Sequence, residues 1–203
     1  AMLGGLKDVE ARLRNIDRLT IVGCGTAHLA GTVGEYMLEE YAELPTETEH
    51  ASEFRYRKPG IDPACEAVIA VSQSGETADT IGALREAKQK GALTIGIVNV
   101  VGSTVARETD AGVYTHAGPE IAVASTKAFL AQVTVFALLT LHFGRQRRMS
   151  QAVGTRIAEE LALVPSKIEK VIAQESRIKM LAEKYAGFPS APSILDIVFF
   201  SLC

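Results

Sequence analysis

The sequence of 203 residues predicts an α/β fold in which a mostly parallel sheet of roughly five strands lies between two layers of helices. Short runs rich in β-branched residues alternate with longer segments of helical periodicity, which is typical of βαβ units. The central runs are apolar without interruption, as expected for strands covered on both faces. Hydrophobic residues make up 47% of the chain and charged residues 22%, which is the composition of a globular domain.

Five short runs are the predicted strands. Residues 67–71 are continuously apolar, as expected of a strand covered on both faces, and residues 93–98 are the next predicted strand. Residues 19–22 form a third apolar run, which ends in a glycine-rich turn. Residues 46–49 alternate between threonine and glutamate and are placed nearer an edge. Residues 112–115 give the weakest strand pattern.

Helical periodicity predicts helices over residues 28–41 and 78–90, the second stopped by Gly91. A long apolar helix is predicted over residues 125–143, and a polar-rich helical segment over residues 152–185. The apolar helix is followed by three arginines, which either oppose the helix dipole or form an anion-binding patch: Arg145, Arg147 and Arg148.

Charge and cysteine content narrow the class of protein. The net charge of −3 and the pI of about 5.9 give no electrostatic reason to expect nucleic acid or a membrane as a partner. The three cysteines, an odd number, predict a reducing compartment without a disulfide framework. No basic segment followed by an apolar core marks a secretory signal at the N-terminus, and no apolar run is predicted to span a bilayer. We therefore expect a cytoplasmic location.

The segment from Ser72 to Thr77 is the strongest candidate ligand-binding loop. It leaves a predicted strand, opens a predicted helix, and places three hydroxyls and an amide around Gly75. Because the loop has no Lys or Arg, an anion there would be held by N–H groups, hydroxyls and the helix dipole. Glu76 is expected to point away from such an anion. The alternative is an ordinary Ser/Thr cap of the helix.

Two further loops have a similar composition. Residues 23–28 begin like a dinucleotide-binding fingerprint, with Glu47 or Glu49 as the ribose-binding acid, but His28 occupies the place of the third glycine. Cys24 is interpreted as a small turn residue or as a nucleophile. In the third loop, residues 120–127, Ser125 or Thr126 is expected to cap the next helix, and Lys127 either neutralises an anion or lies on the surface. The four histidines show no metal-ligand spacing.

The chain resembles the SIS domains of the glutamine–fructose-6-phosphate aminotransferase (isomerizing) family, also called glucosamine-6-phosphate synthases. The stretch from Ser72 to Thr80 is similar to the sugar-phosphate loop of SIS domains, and three more segments are similar to this enzyme family. They are residues 51–57, 98–103 and 117–129. The resemblance covers residues 19–185 and implies a three-layer αβα sandwich of the flavodoxin-like kind.

The resemblance also implies roles for individual residues. Ser72, Gln73, Ser74 and Thr77 would hold the phosphate of the sugar. The remaining contacts with the sugar would come from the first loop and from the far side of the site, through Cys24, Gly25, Thr26, Val123 and Ser125. Ala27 stands where relatives often have serine. No metal or organic cofactor is implied.

By resemblance the chain would be the first SIS lobe of the isomerase part of such an enzyme, which binds fructose 6-phosphate or glucosamine 6-phosphate. In that family the catalytic groups come from a second lobe and a glutaminase domain, so no catalytic residue is assigned here. A homodimer through the apolar helix is expected. The alternatives are a sugar-phosphate-sensing regulatory module, which would bind DNA, and a dinucleotide-binding domain.

Four segments are predicted along the chain. Residues 1–17 are a helical lead-in, residues 18–148 the SIS domain, and residues 149–187 a helical connector or packing arm. Residues 188–203 do not match the family. They are interpreted as the product of truncation or of a change in reading frame, or alternatively as a short strand or partner-binding segment.

Overall fold

The computed structural model describes residues 3–121 and 125–186. Five strands form one sheet, namely β1 Arg18–Gly23, β2 Thr46–His50, β3 Glu66–Ser72, β4 Leu93–Val98 and β5 Ala111–Tyr114. A 3-10 helix, Gly4–Val9, opens this part of the chain. The α-helices are α1 Glu10–Leu13, α2 Thr26–Ala42, α3 Ala51–Arg57, α4 Ala78–Gln89, α5 Thr104–Glu108, α6 Lys127–Gln146, α7 Gln151–Ile172 and α8 Glu175–Tyr185. The predicted tail, residues 188–203, lies outside the described residues.

All five strands are parallel, in the order β2-β1-β3-β4-β5. The chain winds outward from β1 to one edge and then returns through β3 to the other, so the strand order reverses between β1 and β3. This is the doubly wound arrangement of flavodoxin-like folds, and it confirms the predicted fold class. Every predicted strand is present, and residues 112–115 prove to be shifted by one residue relative to β5.

Two hydrophobic cores lie on opposite faces of the sheet. Ile69 and Val71 of β3 face α2 and α6, whereas Val68 and Ala70 face α3, α4 and α5. This alternation explains why β3 and β4 are apolar throughout, because both of their faces are buried. The helices on the first face, α2 and α6, pack directly against each other at Gly34, where Phe136 occupies the space of a side chain.

The long apolar helix corrects one prediction. α6 is apolar and long enough to cross a membrane by length and composition, although the sequence analysis found no such run. In the fold, 56% of its apolar window is buried, since one side of α6 packs on α2 and the sheet. A core helix of a globular domain has the same properties. The helix starts at Lys127, two residues later than predicted, and ends at Gln146.

The helical segments outside the sheet differ from the predictions in detail. The helices α3 and α5 were not predicted, and the predicted helical segment over residues 152–185 is divided into α7 and α8. The three arginines at the C-terminal end of α6 make structural contacts, which accounts for their positions without an anion. Arg145 donates to the carbonyl of Met149, Arg147 to that of Ile16, and Arg148 pairs with Glu43.

Candidate ligand-binding site

The first two candidate loops meet at the point where the strand order reverses. Residues 23–28 leave the carboxyl end of β1, and residues 72–77 leave that of β3, its hydrogen-bonded neighbour. In doubly wound sheets this crevice is the usual ligand-binding position, because loops on either side of it diverge. The predicted loops are therefore brought to the edge of the sheet where a ligand is expected.

The loop from Ser72 to Thr77 is closed by its own hydroxyls. The buried Ser72 hydroxyl accepts a hydrogen bond from Gly75 N at 2.9 Å and lies 3.1 Å from the Thr77 hydroxyl. Ser74 Oγ accepts from Glu76 N at 3.1 Å. Gly75 has a φ of +68°, a conformation that residues with a side chain rarely adopt. Residues 72–77 therefore form a tight turn with its polar groups close together.

The start of α4 argues against the interpretation as an ordinary cap. Thr77 stands in the N-cap position, yet no side-chain hydrogen bond caps α4 there in the described part of the chain. The backbone N–H groups of a first helical turn lack partners within the helix. Together with the positive end of the helix dipole, they favour an anion next to residues 72–77.

Glu76 points away from this position, as the sequence analysis expected. Its carboxylate accepts a hydrogen bond from Thr104 N at 2.8 Å, at the start of α5. Hydrogen bonding with the side chain of Thr104, followed by the bond from its backbone N–H, lowers the pKa of Glu76 below its usual value. The negative charge of Glu76 is thereby held at α5, and the loop is free of a carboxylate that would repel an anion.

The first loop contacts α4. Gly25 has a φ of +57°, so a glycine is favoured before α2. Cys24 Sγ lies 3.9 Å from the hydroxyl of Thr80, a fully buried residue of α4. His28 lies on α2, and its ring stacks on that of His50 with 3.8 Å between the ring centroids.

Two hydroxyls join the first and third loops. Thr26 Oγ1 lies 2.9 Å from Ser125 Oγ, although 99 residues separate them in the sequence. Ser125 is buried and precedes α6, whose Ala128 N–H is bound instead by the Glu120 carboxylate at 3.0 Å. Of the two residues expected to cap α6, Thr126 stands in the N-cap position, whereas Ser125 forms a hydroxyl pair with Thr26 beside the crevice.

The remaining predicted residues are placed as follows. The main-chain carbonyl of Gln73 accepts from Asn99 N at 3.2 Å, and the side chain of Gln73 is half-buried. Lys127 is exposed in the first turn of α6. Val123 lies outside the described residues. The sequence analysis missed Asn99, Thr80 and Glu120, although Asn99 follows a buried strand directly, which is a recognisable signal for this edge of the sheet.

Comparison with known proteins agrees with this geometry. Residues 12–142 match the SIS domain family. The chain belongs to the SIS domain family. The matched region contains the whole sheet, the loops after β1 and β3, and most of α6.

Several relatives are aminotransferases. The chain is 52% identical over 182 residues to a glutamine–fructose-6-phosphate aminotransferase [isomerizing] of Chlorobaculum tepidum, covering 90% of this chain and 30% of that protein. The corresponding protein of Thermus thermophilus is 47% identical over 85% of this chain and 28% of its own length. The chain thus spans less than a third of the length of these curated relatives.

Solved structures share the fold. The C-terminal domain of glucosamine-fructose-6-phosphate aminotransferase from Francisella tularensis superposes with a TM-score of 0.84 at 33% identity, covering 89% of this chain and 51% of that chain. Glucosamine-6-phosphate deaminase from Thermotoga maritima superposes with a TM-score of 0.65 at 23% identity, covering 83% of this chain and 52% of that one. The second likeness shows the fold alone.

Proposed function

We propose that this chain binds fructose 6-phosphate or glucosamine 6-phosphate, as the first SIS lobe of a glutamine–fructose-6-phosphate aminotransferase. The proposal is carried by the position of the Ser72–Thr77 loop at the reversal of strand order, beside the Thr26–Ser125 hydroxyl pair. The names of the relatives at 45–52% identity support the choice of substrate class.

The phosphate would be held by dipoles and hydroxyls. Ser72, Gln73, Ser74 and Thr77 surround the position in front of α4, where backbone N–H groups favour an anion. The carboxylate of Glu76 accepts a hydrogen bond from the first residue of α5, so its charge does not repel an anion at that position. Such a site suits a phosphate that is bound and released without chemical change.

The sugar would lie between the first and third loops. A sugar chain presents several hydroxyls, each of which both donates and accepts hydrogen bonds, as serine and threonine hydroxyls do. Thr26 and Ser125 offer two such groups 2.9 Å apart, and Cys24 and Gly25 line the turn next to them. Val123 is proposed to complete the far side. The chain is proposed to need the rest of the enzyme for synthase activity.

A homodimer in the cytoplasm completes the proposal. The outer faces of α2 and α6 expose Leu29, Val33, Tyr36 and Leu130, an apolar surface next to the candidate site. Covering such a surface favours association. Light scattering is expected to give twice the mass of one chain, and a single-chain mass would contradict the dimer without affecting the proposed site.

Thermal unfolding with four separate ligands tests the sugar-phosphate site. Fructose 6-phosphate and glucosamine 6-phosphate are expected to stabilise the chain more than inorganic phosphate or NAD does. A ligand at about 100 times its dissociation constant stabilises the folded state by about 2.7 kcal/mol. A larger stabilisation by NAD would contradict the proposal and favour the dinucleotide-binding alternative. Specific binding to duplex DNA would favour the regulatory alternative.

Two matched variants separate the parts of the site. Ser74→Ala is expected to weaken the binding of inorganic phosphate and of the hexose phosphates alike, because Ser74 lies in the phosphate loop. Ser125→Ala is expected to weaken the binding of the hexose phosphates and to leave the binding of inorganic phosphate unchanged, because Ser125 lies beside Thr26. Equal effects of both variants on all ligands would argue against separate phosphate and sugar positions.

A further inference from the structure

Asn99 contacts the phosphate loop and the segment that leads into the third loop. It follows β4 directly and is half-buried at the carboxyl edge of the sheet. Its backbone N–H donates to the carbonyl of Gln73 in the phosphate loop at 3.2 Å. Its side chain contacts the segment that follows β5 and leads into the third loop.

The side-chain amide of Asn99 uses both of its ends. Its oxygen accepts from Ala117 N at 2.7 Å and from the Thr115 hydroxyl at 3.0 Å. Its nitrogen donates to the carbonyl of Gly118 at 2.7 Å. A side chain must offer an acceptor and a donor in this geometry to make all three bonds, and aspartate, alanine and serine do not.

The segment held in this way is strained. His116 has a φ of +51°, in the left-handed region that residues with a side chain rarely occupy, and Gly118 follows with a φ of +73°. Two of the side-chain bonds of Asn99 are with Thr115 and Ala117, on either side of His116, and the third is with Gly118. These bonds offset the free-energy cost of the left-handed backbone conformation. Two residues further on, Glu120 binds the first turn of α6 through Ala128 N.

We propose that Asn99 is a positioning residue that fixes residues 115–118, which lead into the third loop, relative to the phosphate loop, and so sets the distance between the sugar and phosphate parts of the site. The inference rests on the proposed function. The main-chain N–H of Asn99 makes the bond to Gln73, and the side chain of Asn99 makes the bonds to residues 115–118. Substitution of Asn99 therefore releases residues 115–118 while leaving the phosphate loop in place.

Calorimetric titration of Asn99→Ala with fructose 6-phosphate and with inorganic phosphate tests this division. We expect the dissociation constant of fructose 6-phosphate to rise about tenfold, equivalent to about 1.4 kcal/mol, and that of inorganic phosphate to change by less than about twofold. Asn99→Asp is expected to match the alanine variant, because its second oxygen faces the carbonyl of Gly118. Asn15→Ala, at an exposed turn, is the matched control and should change neither value.

Amide hydrogen exchange gives a second readout that needs no ligand. In Asn99→Ala the amide of Ala117 is expected to exchange faster, while Gly75 keeps its protection. Three results would overturn the proposal. They are an equal loss of affinity for both ligands in Asn99→Ala, no loss of affinity for either, and an unchanged exchange rate of the Ala117 amide. If the unsubstituted chain bound neither ligand, the proposed function would fail, and the exchange at Ala117 would still decide whether Asn99 holds the loop.

Discussion

Gly75 meets two constraints in the phosphate loop. Its φ of +68° disfavours any residue with a Cβ, and the Cβ of such a residue would lie 2.1 Å from the hydroxyl of Ser103. Ser103 is buried at the start of α5, and its hydroxyl has no hydrogen-bond partner among the described residues. The loop and α5 are therefore packed as closely as two backbones with one small side chain between them allow.

Gly75→Ala is expected to lower the free energy of unfolding by about 3 kcal/mol or more, through left-handed strain of about 1–2 kcal/mol plus the clash with Ser103. Gly102→Ala is the matched control, because its φ is +73° but nothing lies within 4 Å of the added carbon. Urea unfolding of both variants, and of Gly75→Ala combined with Ser103→Gly, separates strain from clash. If Gly75→Ala lowered the free energy of unfolding by no more than Gly102→Ala does, the steric argument would be contradicted.

Single residues of the site were predictable where they follow a strand in the sequence. The hydroxyls of Ser72, Ser74 and Thr77 fall within one short loop, so their clustering follows from local spacing. The pairing of Thr26 with Ser125 depends on the packing of α2 beside α6, which no local pattern contains. Asn99 carries the local signal, because it follows β4 directly, but its role depends on partners in the segment after β5, which the sequence alone does not bring next to it.

At the scale of elements, the pair α2 and α6 forms one side of the crevice. Thr26 begins α2 and Ser125 precedes α6, so the angle and distance between these helices set the position of the hydroxyl pair. They contact each other at Gly34, where an added Cβ would lie 2.5 Å from the ring of Phe136. The two helices thus depend on the absence of a side chain at Gly34.

Gly34→Ala is expected to lower the free energy of unfolding by about 1–3 kcal/mol, because overpacking exceeds the gain of about 1 kcal/mol in helix propensity. Gly82→Ala in α4 is the matched control, since its new carbon would meet the flexible Arg55 side chain. That variant should be neutral or slightly more stable. Combining Gly34→Ala with Phe136→Leu should restore part of the loss, and thermal unfolding of the four proteins checks the order.

The elements that the sequence did not predict share a cause. The helices α3 and α5 have 7 and 5 residues, too few for the helical period to be recognised. The strand β3 was recognised because burial on both faces requires apolar residues, and β2 was recognised by its alternation. The first residues of α2 and α6 were misplaced by two positions because small and hydroxyl residues at those turns suit a loop and a helix start equally well.

At the scale of the whole molecule, both edges of the sheet are covered. On one side Glu35 and Glu39 of α2 accept from the backbone N–H groups of Thr48 and Thr46 in the edge strand β2, at 2.8 and 3.3 Å. On the other side the 3-10 helix packs on β5, and Gly5 approaches the carbonyl of Gly112 closely. Such coverage limits pairing of the edges with other chains.

The N-terminal segment also encloses His142 of α6. This histidine lines a cleft between the 3-10 helix, the end of α6 and the start of α7, together with Leu3, Glu10 and Gly154. Burial is the main cause that lowers the pKa of His142 below its usual value of about 6.5, and Glu10 opposes the shift. The folded chain therefore binds this proton less tightly than the unfolded chain does.

Stability should accordingly fall as the pH drops through about 6.5, because the unfolded chain takes up a proton that the folded chain resists. The loss is complete below the folded pKa and absent well above 6.5. His142→Gln should remove this component, so the free energy of unfolding of the variant should decline less than that of the unsubstituted chain between pH 8 and pH 5 in urea titrations. His116→Asn, at an exposed position, is the control and should keep the full decline. A variant that declines as steeply as the unsubstituted chain would show that enclosure by the N-terminal segment does not govern the protonation of His142.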